Sequence, residues 1–129
     1  MRTLSLLSCI ALLAGAVIAR PLFASAGPDI SGDWLRSDGT ARMHIAACGS
    51  QICAINTWIK DTVRDEQVGD KLVMTLEPQG DSRLIGAAFD VRRQRSYSLS
   101  ITVERNNMLT HGCVIKGIVC RTMSWTRTQ

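Results

Sequence analysis

The side chains able to do chemistry in this 129-residue chain are few: five cysteines, two histidines, three tryptophans, and acids scattered through turn-like stretches. No H-E-x-x-H, G-x-S-x-G or glycine-rich phosphate loop occurs. No two carboxylates stand at a spacing that would assign acid and base roles. His44 and His111 have no Ser or Cys nucleophile at a readable spacing, and strand alternation puts both on outward faces. These absences point away from an enzyme: no catalytic residue, no cofactor and no metal site is expected.

The cysteines have a plainer use. Arg2, the apolar run from Leu4 to Ala19 and the Ala24-Ser25-Ala26 site have the three parts of a secretory signal peptide over residues 1–26, cleaved after Ala26. Arg20-Pro21 interrupts the apolar run, which is short for a membrane span, so no stable membrane anchor is expected. Cys9 would leave with that segment, and Cys48, Cys53, Cys113 and Cys120 remain. A periplasmic or secreted location favours disulfides over a zinc site. In Cys113-Val-Ile-Lys-Gly-Ile-Val-Cys120, a turn at Lys116-Gly117 sets Val114 opposite Val119 and Cys113 opposite Cys120, and Cys48 and Cys53 close a similar short hairpin.

Arg2 and Arg20 are the only charged residues before Ala26, so cleavage lowers the formal charge from +4 to +2. The basic balance is thus no argument for nucleic acid. Residues 27–129 suffice for one domain and are too few for two.

The elements that must carry these side chains are strands. Gly32–Arg36 is followed by Asp38-Gly39, a strong hairpin turn, and by Arg42–Ala47, so that Trp34 faces Met43. The next reversal sets Ala47 against Ala54, Ile45 against Asn56 and Met43 against Trp58. Asp61–Asp70 reads as the longest loop, with room for a short helix. Lys71–Leu76 and Leu84–Val91 follow, and then Tyr97, Leu99, Ile101 and Val103 alternate with hydroxyl residues, one face apolar and one wet. Eight such strands joined in sequence order predict an all-β, up-and-down antiparallel barrel, because an open sheet would leave two long edges.

Pairing about Gln94, Asn106-Asn107 and Lys116-Gly117 places Ala87, Ile101, Gly112 and Arg121 in one row, with Phe89 inside and Asp90 outside. An interior guanidinium needs an acid, carbonyls or an anionic ligand. On this register Arg121, Asn56, Trp58, Gly112 and Ile101 form a candidate binding site for a small, partly apolar, anionic molecule. Against that, a bulge or a rim position would put Arg121 in water, and Trp58 would serve as ordinary core. Arg92-Arg93-Gln94-Arg95 reads as a solvated hairpin tip, or as a contact for an anionic partner.

Gly32-Asp33-Trp34, the Asp38-Gly39 turn, Cys48-Gly49 with Cys53, Phe89-Asp90 ahead of Tyr97, and the closing Trp125-Thr126-Arg127 together resemble the domain-of-unknown-function 2147 family of exported bacterial proteins. The chain looks like a short, divergent member: it lacks the Pro-rich central segment of the longer form and has Val91 where that form has proline. The resemblance implies a lipocalin-like (calycin) barrel in which Trp34 plugs one end under Arg127 through a cation–π contact. The expected role is then an exported barrel with a small-molecule ligand. The alternatives are a protein-interaction module such as a periplasmic protease inhibitor, and a solid structural barrel.

Overall fold

The computed structural model describes residues 15–19, 26–114 and 116–128. The signal-peptide reading of residues 1–26 therefore falls mostly outside the described residues. The described residues contain no helix, and the loop 61–70 is irregular throughout. Eight strands follow one another: β1 (Gly32–Arg36), β2 (Ala41–Cys48), β3 (Gln51–Ile59), β4 (Lys71–Pro78), β5 (Arg83–Asp90), β6 (Arg95–Glu104), β7 (Asn107–Val114) and β8 (Val119–Thr128). Each pairs antiparallel with its neighbours, and β8 returns to β1, so the sheet closes into an up-and-down barrel. Closure leaves no unpaired sheet edge, the physical problem that alternating strands in a chain of this length have to solve.

Alternation fills the interior. Met43 and Ile45 of β2, Ala54 of β3, Met74 of β4, Leu84 and Ala88 of β5, Ile101 of β6 and Met108 of β7 form one buried cluster with Ile30, Trp34 and Trp125. Asp38-Gly39 makes the first turn, with Gly39 at φ 74° and its N–H donating to the Arg36 carbonyl. Both cysteine pairs are disulfides, Cys48 to Cys53 and Cys113 to Cys120. On the β7–β8 hairpin Cys113 faces Cys120 and Val114 faces Val119, the register that the cysteine spacing predicts.

Three registers differ from expectation. On β2–β3 the pairs are Ile45 with Ala54 and Met43 with Asn56, and a bulge between Arg42 and Met43 then sets Trp58 beside Arg42. The extra residue reverses the facing, so Trp58 turns outward and is 42% exposed. On β6–β7, Ile101 lies opposite Thr110, while Gly112 lies opposite Leu99. That slip is even, so every face is kept. On β5–β6, Asp90 pairs with Arg95 across a four-residue turn, an odd slip from a centre at Gln94. Leu84, Ala88 and Asp90 therefore face inward, Asp90 only 2% exposed, and Phe89 faces out.

Candidate functional site

The two ends of the barrel are built differently. At one end Trp34 is fully buried, and its indole N–H donates to the Ile30 carbonyl at 2.9 Å. The Arg127 guanidinium lies over the Trp34 ring, 4.3 Å from its centroid, and donates to the carbonyls of Ser31 and Asp29 at 2.5 and 2.9 Å. The arm before β1 is thereby tied across this end.

The other end, here called the mouth and formed by the β1–β2, β3–β4, β5–β6 and β7–β8 connections, carries the densest charge chemistry. Period-two alternation puts Arg36 on the same inward face as Trp34. Antiparallel pairing of β1 with β8 sets Trp34 beside Arg127 and Arg36 beside Trp125. The sequence Trp-x-Arg thus occurs on both seam strands and pairs with itself, giving two cation–π contacts; the Arg36 guanidinium lies 5.0 Å from the Trp125 centroid. Trp125 is held in turn by its N–H, which donates to Thr110 Oγ1 at 3.1 Å.

Arg36 is only 4% exposed, and its charge is met from the β3–β4 loop. Glu66 takes both terminal nitrogens in a fork, Nη1 to Oε2 at 2.8 Å and Nη2 to Oε1 at 2.7 Å. Thr40 Oγ1 accepts a weaker bond from Nη1 at 3.3 Å. Arg36 Nε is buried with no hydrogen-bond partner.

Two arginines of the β5–β6 turn hold that loop in place. Arg92 makes a second fork, to Asp70 at 2.5 and 2.8 Å, and also donates to the Asp65 carbonyl at 3.0 Å. Arg93 donates to the buried Asp90 at 2.6 Å and to the same Asp65 carbonyl. The Arg92 hydrogen bonds hold the Asp70 carboxyl below its usual range, and the Gln67 N–H and the two arginine charges act in the same direction against burial. The basic run at the turn is therefore a clamp on the loop, not a solvated tip. Asp90, expected outside, is the buried anchor of Arg93.

The residues expected to line a binding site are dispersed. Ile101 is buried in the core at 1% exposure, and Gly112 is half-buried opposite Arg121. Arg121 keeps inward parity but sits at the start of β8, where the wall ends, and its side chain is exposed. It lies close enough to Asp38 to lower that carboxyl, after the larger effect of hydrogen bonds from Thr40. Asn56 is half-buried, and its backbone bonds to Asp70 and Gly69 fasten the end of the same loop. Trp58 stands on the outer wall. Sequence reasoning missed Arg36 and Glu66; the duplicated Trp-x-Arg was the available signal for Arg36, whereas no local pattern marks Glu66 as its partner.

A protein-family model described as "Uncharacterized protein conserved in bacteria (DUF2147)" matches residues 32–127, from the first strand to the last. The chain belongs to this family. No curated protein and no solved structure gives a significant match. The DUF2147 match takes in both Trp-x-Arg elements, the mouth loop and all four disulfide cysteines.

Proposed function

We propose that this DUF2147 protein is an exported, non-enzymatic barrel that binds a small, partly apolar carboxylate at its mouth, with Arg36 as the anion-binding residue. The observation that carries this reading is the Arg36–Glu66 fork. A guanidinium held under a ring, 4% exposed and with its Nη pair already engaged by a carboxylate, is a carboxylate site whose occupant is a residue of a loop. A ligand carboxylate has the same geometry as the Glu66 carboxylate and would displace that side chain, while the Arg92 and Arg93 contacts keep the rest of the β3–β4 loop in place. The Trp125 ring stacks on the same guanidinium and, at 3% exposure, would meet the apolar part of such a ligand only once Glu66 is displaced. Arg121, Asn56 and Gly112 stand at the same end, and exposed Arg121 would draw anions toward it.

The export half of the proposal rests on the N-terminal apolar run, the Ala24-Ser25-Ala26 site and the two disulfides. Protein recovered from a bacterial periplasm should have the mass of residues 27–129.

Octanoate titrated against the folded protein by calorimetry and by tryptophan fluorescence tests the site. Glu66→Gln should bind at least about tenfold more tightly than the native protein, because neutralising the occupant removes the competing charge. Arg36→Met should not bind. Equal binding by the two variants, or none by Glu66→Gln while its circular dichroism stays native, sinks the reading and leaves the solid structural barrel.

A further inference from the structure

On the outer wall of the barrel, beside the β7–β8 turn, β7 and β8 bring three soft ligand atoms together. His111 and Cys113 are two residues apart on β7 and so share the outward face. Cys120 is the cross-strand partner of Cys113, and Thr122 is that of His111. His111 Nε2 lies 3.4 Å from Cys113 Sγ, and one ligand atom from each of His111, Cys113 and Cys120 falls within 4.8 Å of the others. It is the one group of this kind among the described residues. In the oxidised hairpin both sulfurs are spent in the disulfide.

We propose that the β7–β8 hairpin is a redox-gated site for a thiophilic d10 cation, zinc(II) as the reference ion, closed by the Cys113–Cys120 disulfide and opened by a dithiol reductant. Cys120 is exposed whereas Cys113 is 9% exposed, so Cys120 Sγ is the sulfur an incoming thiolate reaches. Attack there forms a mixed disulfide, breaks the Cys113–Cys120 bond and releases Cys113 as a thiolate. The second thiolate of the reductant then attacks its own sulfur in the mixed disulfide and frees Cys120. Two electrons have moved, and the reductant leaves as a cyclic disulfide. Metal binding then displaces to solvent any proton the two thiols hold.

The geometry of the ligand set suits that product. Zinc–sulfur and zinc–nitrogen bonds of about 2.3 and 2.0 Å put a sulfur and a nitrogen about 3.5 Å apart on a tetrahedron. His111 Nε2 and Cys113 Sγ stand at 3.4 Å already. Ligation by Nε2 requires the proton on Nδ1, and Nδ1 lies 2.7 Å from Thr122 Oγ1, which accepts a hydrogen bond from the Nδ1–H of that tautomer. A ligating histidine is ordinarily fixed by a partner of this kind. Three protein ligands leave the fourth position to water, and the site opens onto solvent: His111 also lines an outer-wall groove of about 630 Å³ with Ser98, Ser100 and Ala87.

The site faces outward from β7 and β8, whereas Arg36 faces the interior from β1. It is tested on the full chain with cobalt(II) as an optical probe, after reduction with a phosphine and with circular dichroism recorded in parallel. The reduced native protein and Cys48→Ala/Cys53→Ala should each take up one cobalt, with tetrahedral d–d bands and a thiolate-to-metal charge-transfer band, and zinc should displace it. His111→Ala should weaken binding at least about tenfold, Thr122→Val about tenfold, and Cys113→Ala/Cys120→Ala should abolish it. The oxidised protein should bind none. Unchanged affinity in His111→Ala or in Cys113→Ala/Cys120→Ala, binding by the oxidised protein, no thiolate band, or loss of the β-sheet spectrum on reduction would each overturn the proposal.

Discussion

Trp34 shows how much one side chain does here. It is fully buried, donates to the Ile30 carbonyl and lies under Arg127, so it joins the arm, the first strand and the last strand at one point. Trp34→Ala should cost about 3 to 5 kcal/mol in urea unfolding, the range for truncating a large core residue. A loss below about 1 kcal/mol would mean that the end is held by something else. Gly86 is the opposite case, a position where nothing can be added. A Cβ there would stand 2.0 Å from the Thr75 carbonyl oxygen, and a backbone atom in a ladder cannot swing aside. Gly86→Ala should cost about 1 to 3 kcal/mol through overpacking, and an unchanged melting temperature would show that β4 and β5 can move apart. The role of Trp34 was legible because its motif and neighbours resemble a known family. Arg36 was not: it shares the Trp34 face, but apolar-inside counting argues against a charge there, and its compensating acid is 30 residues away on a loop.

At the scale of elements, what the sequence left open was the length of turns. Asn is favoured where φ is positive, which drew the β6–β7 turn to Asn106-Asn107. The chain instead turns at Arg105-Asn106, with Arg105 at φ 55°. That error is even, and Leu99, Ile101 and Val103 keep their inward facing. At β5–β6 the error is odd, and it put Asp90 on the wrong side of the wall. The cause is physical: both turns are polar, and the length of the β5–β6 turn depends on Asp90 and Arg93 bonding to each other, a contact that alternation does not encode. The β3–β4 loop looks free in the sequence, yet it is clamped by Arg92 through Asp70. Since the folded Asp70 carboxyl titrates below its ordinary range, its contribution is complete above about pH 4, the unfolded value, and is lost as pH falls through the depressed folded value. Asp70→Asn should therefore be less stable than the native protein at neutral pH, and the gap should narrow as urea unfolding is repeated in steps below about pH 4. A gap of constant size across that window would rule out the charge-assisted clamp.

For the whole molecule the decisive contact is the one between its ends. β1 and β8 share four register pairs, among them Trp34 with Arg127 and Arg36 with Trp125. The need for closure was legible, because eight alternating strands in one row cannot leave two edges in water; how the interior would be filled was not, since that depends on registers settled turn by turn. The disulfides cannot substitute for the seam. They bridge residues only 5 and 7 apart in sequence, and loops that short stabilise by about 2 kcal/mol each through the unfolded chain, without bringing β1 near β8. A chain ending at Ser124 keeps both disulfides and seven full strands, but it loses both cation–π pairs and the inward anchor of Trp125, and it bares the edge of β1. It should show no cooperative unfolding transition and should aggregate through its open edges, while the chain from residue 27 to 129 unfolds cooperatively. A sharp transition in the Ser124-terminated chain, with both disulfides intact, would show that the barrel is held by its successive hairpins and that the β1–β8 seam is dispensable.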